Sequence, residues 1–220
     1  MLLPIALNLQ DVPCLVVGGG EIGARKVRSL LECGARVKVV SLQLCDALEA
    51  IRANNEYSNE HSMLQVFERP FERDDCDDMK LVFACTDSRD VNLDVANCAR
   101  KTGALCNVSD DGQSGDFGSM AVVRRGEITI AISTNGGSPA LSKHLKREIE
   151  SCIGDEYAQL LQLMSDARAM QNRQASVQSE RAAMWHRVLA SDVLELLRRG
   201  ETQSAQNLVR EIMKSNEPEA

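Results

Sequence analysis

The stretch that decides the fold is CLVVGGGEIG, residues 14–23. Its apolar start is typical of a buried strand, its glycines at 18, 20 and 23 follow the spacing G-x-G-x-x-G, and a helix-like stretch continues to Cys33. In this context the first glycine allows a tight turn, the second admits a pyrophosphate, and the third lets helix pack on strand. The pattern predicts a dinucleotide at the helix amino terminus. A plain glycine-rich turn is the alternative.

The end of the second predicted strand bears on the choice of dinucleotide. Proteins with this motif usually carry an acidic residue there, which binds the ribose 2′-hydroxyl. Here the strand at 36–40 ends in Ser41-Leu42-Gln43, so Ser41 and Gln43 are candidates to hydrogen-bond the ribose or the adenine. There is no local arginine cluster for a 2′-phosphate, which favours NAD over NADP.

Length and composition exclude several classes of protein. A chain of 220 residues with 44% hydrophobic residues can form a Rossmann unit with a smaller appendage. Aromatic residues at 3% and a net charge of −7 argue against a nucleic-acid partner. The sequence has neither a signal-peptide pattern nor an apolar run long enough for a membrane span.

The cysteines and histidines bear on compartment and metal binding. The eight cysteines include no C-x-x-C pair, and the three histidines have no ligand spacing. This usage predicts a reducing cytoplasm and no bound metal.

Strand and helix patterns alternate over the first half of the chain. After the first βαβ unit, the predicted elements are a helix at 42–54, strands at 63–67, 80–85 and 104–108, and a helix at 90–101. The alternation predicts a doubly wound parallel sheet, whose ligand crevice lies outside the carboxyl ends of the strands. The candidate site loops at that edge are 18–23, 41–43, 86–87 and 107–111.

The pattern changes after Asp116. Residues 119–133 predict a hairpin with its turn at Arg125-Gly126, and a hairpin that lacks a sheet of its own can join that of a second subunit. We therefore expect a homodimer. Ser138 as cap and Pro139 at the first helical position predict a helix that runs to about 151.

The remainder of the chain is glycine-poor and predicted to be helical. Gly200 separates an expected helix at 182–199 from another at 202–214. The predicted division is an NAD-binding Rossmann domain at 1–113, a dimerisation and substrate-cleft region at 114–152, and a small all-α domain at 153–220.

A series of short motifs identifies a family. They are LPI at 3–5, VGGG at 17–20, ARK at 24–26, NVSD at 107–110, DF at 116–117, VVRRG at 122–126, IAIST at 130–134 and GGSPAL at 136–141. In this order they resemble the precorrin-2 dehydrogenase module of siroheme synthases. The match covers roughly residues 1–152.

The resemblance implies an enzyme that oxidises precorrin-2 to sirohydrochlorin with NAD in siroheme biosynthesis, and in some members inserts ferrous iron. It implies that Asp110 is the catalytic carboxylate, a base in oxidation and a proton or metal handler in chelation. The alternative for Asp110 is an ordinary turn, since Ser109-Asp110-Asp111-Gly112 is typical of one.

The coenzyme-binding candidates come from two sources. Glu21, Ile22, Leu42 and Gln43 match positions that line the dinucleotide in this family. The glycine motif and the loops at the sheet edge add Gly18, Gly20, Gly23, Ser41, Thr86, Asp87 and Asn107.

The implied substrate carries many carboxylates, so an acidic protein needs local cations to hold it. Arg124 and Arg125, followed by Lys143, Lys146 and Arg147, are the available cluster, and the alternative for each is a solvated surface. Hydroxyls and backbone donors near the helix start can also bind anions. The predicted substrate-binding residues are Arg124, Ser133, Thr134, Gly137 and Ser138.

Two other functions remain open from the sequence. A non-enzymatic NAD-sensing regulatory Rossmann domain would use the same glycine turn, but it would not need the motifs at 107–110 and 122–141. A dehydrogenase of a smaller substrate would need a narrower cleft.

Overall fold

One parallel sheet with helices on both faces organises the first part of the chain. In a computed structural model, which describes residues 2–54, 63–109, 114–171 and 178–214, the sheet has the order β3-β2-β1-β4-β5. Its elements are β1 (Pro13–Gly19), α1 (Glu21–Glu32), β2 (Arg36–Leu44), α2 (Asp46–Ala53), β3 (Leu64–Glu68), a 3-10 turn (Arg73–Cys76), β4 (Leu81–Ala84), α3 (Arg89–Thr102) and β5 (Leu105–Val108). Every neighbouring pair is parallel, which confirms the predicted fold class.

The central strand β1 is buried on both faces of the sheet. Cys14 and Val16 pack on the face that α1 covers, whereas Leu15 and Val17 pack on the face that α3 covers. Alternate residues of a strand point to opposite faces, so a continuous apolar run is what a strand covered on both sides requires. The carboxyl ends of the parallel strands consequently share one edge.

The predicted helix at 42–54 was wrong at its start. Residues 42–44 continue β2, because Leu44 pairs with Gly19 of β1 and the N–H of Cys45 donates to the Gly19 carbonyl at 2.8 Å. The helix α2 begins only at Asp46. The extension of β2 keeps Ser41, Leu42 and Gln43 in strand conformation beside the glycine turn.

The later part of the chain begins with an antiparallel hairpin. Its strands are β6 (Ala121–Arg125) and β7 (Ile128–Ile132), and Gly126 at φ 55° makes the predicted turn. The helix α4 (Pro139–Cys152) starts as predicted, since the Ser138 Oγ accepts a hydrogen bond from the Leu141 N–H at 3.1 Å. Proline at the first helical position loses no hydrogen bond there.

Four further helices confirm the predicted helical end. They are α5 (Asp155–Gln171), α6 (Gln178–Ala190), α7 (Val193–Arg198) and α8 (Thr202–Lys214). The prediction of a single helix at 182–199 was wrong, because the helix is interrupted at Ser191 and Asp192. The Ser191 side chain donates to the Val188 carbonyl at 2.7 Å and accepts from the Val193 N–H at 3.4 Å, so it competes with the helical pattern.

The chain divides into two compact units, Met1–Ser119 and Met120–Ala220. The second unit has its own core, in which Leu160, Val188 and Val209 are buried. The finer division at residues 113 and 152 stays a prediction. Among the described helices, none combines the length and apolar character needed to cross a membrane.

Candidate functional site

A cleft of about 980 Å³ opens in the first unit at the carboxyl ends of β1, β2 and β4. This is the edge at which doubly wound sheets bind ligands. Three of the predicted loops meet in it, contributing residues 18–20, 41–43 and 86–87. Its volume suits a ligand of dinucleotide size.

The glycine turn forms the floor of this cleft, and two of its three motif glycines are required by close contacts within the protein. Gly18 has φ +112°, and a Cβ on it would lie 2.5 Å from the Cys85 carbonyl oxygen. A Cβ on Gly23 would overlap the Gly18 carbonyl oxygen, so α1 packs directly on the turn. By contrast, a Cβ on Gly20 would have no atom within 4 Å. The open space at Gly20, next to the unpaired N–H groups that begin a helix, fits a pyrophosphate.

The end of β2 forms one side of the cleft. The Ser41 Oγ donates to the Gln43 carbonyl at 2.7 Å, which shapes the strand end, and the Leu42 side chain is exposed. Ser41 pairs in register with Glu68 of β3, so the residues that follow β3 continue the same rim. Arg69, Pro70 and Phe71 line the cleft at this rim. No sequence motif marked these three residues.

The loop after β4 forms the opposite side, and a buried amide holds it. The Asn92 side chain, on α3, accepts hydrogen bonds from the Thr86 N–H at 3.1 Å and the Thr86 hydroxyl at 2.7 Å, and donates to the Thr86 carbonyl at 2.9 Å. Asn92 is fully buried. A residue with both donor and acceptor is needed to satisfy this backbone, so Asn92 fixes the position of Thr86 and Asp87 in the cleft.

Arg69 is part of a network of charged side chains. Its Nη1 and Nη2 donate to the two oxygens of Asp75 at 2.8 and 2.7 Å, and the Lys38 Nζ lies 2.7 Å from the same carboxylate. The Glu72 N–H adds a hydrogen bond at 2.9 Å. Burial alone would raise the pKa of the Asp75 carboxyl, but the hydrogen bonds from Arg69, Lys38 and the Glu72 N–H hold that pKa well below its ordinary value.

Not every predicted coenzyme residue faces the cleft. Glu21, Ile22 and Gly23 lie in the first turn of α1, directly after Gly20, and the cleft formed by the described residues does not include them. Asn107 is buried in β5, where its Nδ2 donates to the Phe117 carbonyl at 2.8 Å. Asp110 lies outside the described residues.

The predicted substrate-binding residues belong to the second unit. Ser133, Thr134, Gly137 and Ser138 come together in the loop between β7 and α4. The Thr134 Oγ1 accepts from the Ser138 N–H at 3.1 Å, and the Gly137 N–H donates to the Thr134 carbonyl at 2.9 Å. Arg124 lies in β6, opposite Thr129.

Arg125 is not a solvated turn residue, because its side chain binds backbone carbonyls. Its Nε donates to the Ile153 carbonyl at 2.9 Å and its Nη2 to the Glu150 carbonyl at 3.2 Å, so it satisfies carbonyls at the end of α4. Within the described ranges, no three His, Cys, Asp or Glu side chains group closely enough to hold a metal ion.

A family model described as putative NAD(P)-binding matches residues 5–121, more than half of the chain. The chain belongs to this family. A second model, described as sirohaem biosynthesis protein central, matches residues 125–151 of this NAD(P)-binding chain. The first match spans nearly all of the first unit, and the second lies in the early part of the second unit.

Curated relatives and a solved structure confirm the resemblance to siroheme synthases. A siroheme synthase of Methylococcus capsulatus is 34% identical over 209 residues, which cover 95% of this chain and 43% of the relative. One of Salmonella typhimurium is 33% identical over 192 residues, covering 87% and 40%. The chain thus spans less than half the length of these relatives. The structure titled SirC, precorrin-2 dehydrogenase shares the fold, with a TM-score of 0.77 and 23% identity over 96% of this chain and 100% of that one.

The role of Asn92 in this NAD(P)-binding chain leads to a first prediction. Asn92→Ala leaves the Thr86 N–H and carbonyl without their hydrogen-bond partner, so the loop loses its fixed position. We expect the dissociation constant for NADH to rise about tenfold, equivalent to about 1.4 kcal/mol. Titration followed by NADH fluorescence measures it. The matched control is Asn97→Ala, an exposed position on the same helix. Equal NADH affinity in the two variants would contradict the role of Asn92.

Asp75 leads to a second prediction, on stability. Because its folded pKa is depressed, its ionised form stabilises the protein above the unfolded pKa of about 3.9, and this contribution is lost as the pH falls toward the folded value. Asp75→Asn is expected to lower the free energy of unfolding by about 3 kcal/mol at pH 7, because two cations lose their buried partner. The difference from the wild type should shrink below about pH 4.

Urea unfolding at several pH values measures this effect. The neighbouring Asp74→Asn is the control, since Asp74 is exposed whereas Asp75 is 2% exposed. A loss in Asp75→Asn that stays constant from pH 7 to pH 3 would show that the charge of Asp75 is not its cause.

Proposed function

We propose that this chain oxidises precorrin-2 to sirohydrochlorin with NAD, as a step of siroheme biosynthesis. The observation that carries the proposal is the similarity to siroheme synthases along 95% of the chain, which joins a nucleotide cleft to the sirohaem biosynthesis segment at 125–151. The cleft geometry supports it, since Gly18 and Gly23 let the turn close on its neighbours and the open space at Gly20, before the start of α1, suits a pyrophosphate.

NAD is preferred to NADP in this proposal. The strand β2 ends in Ser41, Leu42 and Gln43, which supply no cation for a 2′-phosphate. Asp87 and Asp90 line the α3 side of the same cleft, and their negative charge disfavours a further phosphate. We propose that Ser41, Leu42, Gln43, Thr86 and Asp87 bind the adenosine half or the ribose groups of NAD. Glu21 and Ile22 stay as proposals from the family resemblance, and Asn107 stays as one from its place near the carboxyl end of β5.

The oxidation removes two hydrogens from the substrate, one as a hydride and one as a proton. When bound, NAD supplies the acceptor for the hydride. The protein must therefore supply a base for the proton, and we assign this role to Asp110. Its place in the chain supports the assignment, since it comes two residues after Val108, where β5 ends at the ligand edge of the sheet.

Substrate binding is assigned to the second unit. The substrate's carboxylates need hydrogen-bond donors and positive charge, and we propose that Arg124, Ser133, Thr134, Gly137 and Ser138 bind them. The amino terminus of α4 follows directly, and a helix start favours anions. This part of the proposal rests on residue types and on the grouping of Ser133, Thr134, Gly137 and Ser138 in one loop.

A homodimer is part of the proposal. The hairpin β6–β7 is a two-stranded sheet in the described chain, and two strands alone are marginally stable. No residue of α4 is buried by the described residues, and Leu141 and Leu145 on it are exposed. Sedimentation should find a dimer at micromolar concentration. A monomer with full activity would contradict this part.

Ferrous iron is proposed as a second substrate, to be inserted into sirohydrochlorin with Asp110 as the proton or metal handler. Transient handling of iron does not require a group of several ligands. Adding ferrous iron once sirohydrochlorin has formed should change its absorption spectrum. An unchanged spectrum would mark an enzyme that is a dehydrogenase only.

All eight cysteines lie within the described residues and are free thiols. We propose a reducing compartment, the cytoplasm, because exposed thiols such as Cys33 and Cys152 would oxidise elsewhere.

Incubation with NAD and enzymatically made precorrin-2 tests the proposed activity. We expect NADH and the absorption of sirohydrochlorin to appear together. Coenzyme binding without turnover would instead indicate an NAD-sensing regulatory domain, and turnover of only a smaller substrate would indicate another dehydrogenase.

A further inference from the structure

We propose that Arg69 recognises the adenine of the coenzyme, with its guanidinium plane, fixed by Asp75, stacked on the base. The inference rests on the proposed binding of NAD and adds a residue that determines affinity for the adenosine half. It does not depend on the identity of the substrate.

The position of Arg69 in the sheet places it where the base should lie. The pyrophosphate belongs at the glycine turn after β1 and the ribose at the end of β2. Adjacent strands lie about 4.8 Å apart, so the end of β3 is about 10 Å from that of β1. Ser41 pairs with Glu68, which makes Arg69 the first residue beyond the pair on the outer strand. A nucleotide extended along this edge therefore brings its adenine to Arg69.

The neighbouring side chains suit a base better than a phosphate. Pro70 and Phe71 line the cleft beside Arg69, and Val91 lines it from α3. Asp94 of the same helix also lines the cleft and would repel an anion. Apolar walls beside a planar cation are a surrounding that an aromatic heterocycle fits.

The hydrogen bonds of Arg69 leave the face of its guanidinium available to contact a ligand. Nη1 donates to Asp75 and to the Pro70 carbonyl at 3.0 Å, and Nη2 donates to Asp75. These bonds lie in the plane of the group and hold its orientation. A ligand that competed for these donors would have to displace Asp75, which is nearly completely buried, whereas a stacked base would not.

The guanidinium already lies within cation–π distance of one aromatic ring. Its central carbon lies 5.4 Å from the centre of the Phe67 ring. Arginine stacks on aromatic surfaces because its charge is planar and weakly hydrated, and lysine cannot replace it in that role. Because the Arg69 side chain is 32% exposed and lines the cleft, it can also contact a ligand there.

The test compares ligands with and without adenosine on Arg69→Lys. This variant keeps a positive charge beside Asp75 but loses the planar guanidinium group. We expect the dissociation constants of NADH and ADP-ribose to rise about tenfold and that of reduced nicotinamide mononucleotide to stay unchanged. Calorimetric titration of the full chain measures all three. Arg73→Lys is the matched control, since Arg73 does not line the cleft formed by the described residues and is 70% exposed.

Several results would overturn the inference. They are unchanged binding of ADP-ribose to Arg69→Lys, equal weakening of all three ligands, and, in a parallel titration with NADPH, a loss confined to NADPH, which would make Arg69 a phosphate ligand. The ratio between ligands is read within one folded variant, so a change in stability cannot imitate it. Failure of wild-type protein to bind NADH would overturn the proposed function as well, whereas failure of Arg69→Lys alone to respond would overturn only this inference.

Discussion

Asp110→Asn is expected to lower kcat for precorrin-2 oxidation by about 10²–10⁴-fold, the range that general base catalysis contributes. The amide is similar in size to the carboxylate but cannot accept a proton at neutral pH. Binding of NADH should be unchanged, because the proton transfer takes place on the substrate and is not part of coenzyme binding. Stopped-flow measurement of NADH formation with saturating precorrin-2 gives kcat directly.

Asp111→Asn is the matched control for this prediction. It removes the same charge one residue further along the chain, so a general effect of charge on substrate affinity would appear in both variants. Selective loss in Asp110→Asn identifies the base. Retained turnover in that variant, or equal loss in both variants, would reject the assignment.

Gly18→Ala is expected to raise the dissociation constant for NADH at least about a hundredfold, equivalent to about 2.7 kcal/mol. The added Cβ would lie 2.5 Å from the Cys85 carbonyl oxygen and 2.9 Å from the Thr86 backbone nitrogen, at a φ of +112° that side chains rarely adopt. Backbone atoms cannot rotate away, so the turn and the start of the loop after β4 must both move. Fluorescence titration with NADH measures the loss.

Gly103→Ala separates the clash from backbone strain. Gly103 also has a positive φ, +77°, but no atom lies within 4 Å of a Cβ built on it. We expect this variant to lose about 1 kcal/mol of stability and to bind NADH normally. If Gly18→Ala binds NADH as well as Gly103→Ala does, the glycine turn is not the pyrophosphate site.

The glycine turn could be predicted from the sequence because its requirements are local. Gly18 needs a positive φ and Gly23 needs contact with the turn five residues earlier, so spacing alone specifies both. The start of α4 is local in the same way, since Ser138 and Pro139 act within one helical turn. Such signals lie within a few residues of the feature that they determine.

The rest of the cleft depends on contacts between distant segments. Arg69 reaches the cleft only because β3 pairs with β2, and Asn92 holds Thr86 only because α3 packs against the sheet. No periodicity in the sequence marks either residue. The predicted helix at 42–54 failed for the same reason, because its first residues pair with Gly19, about 25 residues earlier.

The pairing of hairpin and helix shows the same limit in the second unit. The turn at Gly126 was predictable from the two apolar runs around it. The hydrogen bonds from Arg125 to Glu150 and Ile153, however, join residues 25 and 28 positions apart. They turn an apparent member of a cationic cluster into a cap for α4.

The central claim is that this chain couples oxidation of precorrin-2 to reduction of NAD. The most direct measurement is the ratio of NADH to sirohydrochlorin formed under anaerobic conditions, with NAD omitted from a parallel sample. The account predicts one NADH for each sirohydrochlorin and no product without the coenzyme. Sirohydrochlorin formed at the same rate without NAD, or no NADH from a protein that binds the coenzyme, would contradict it.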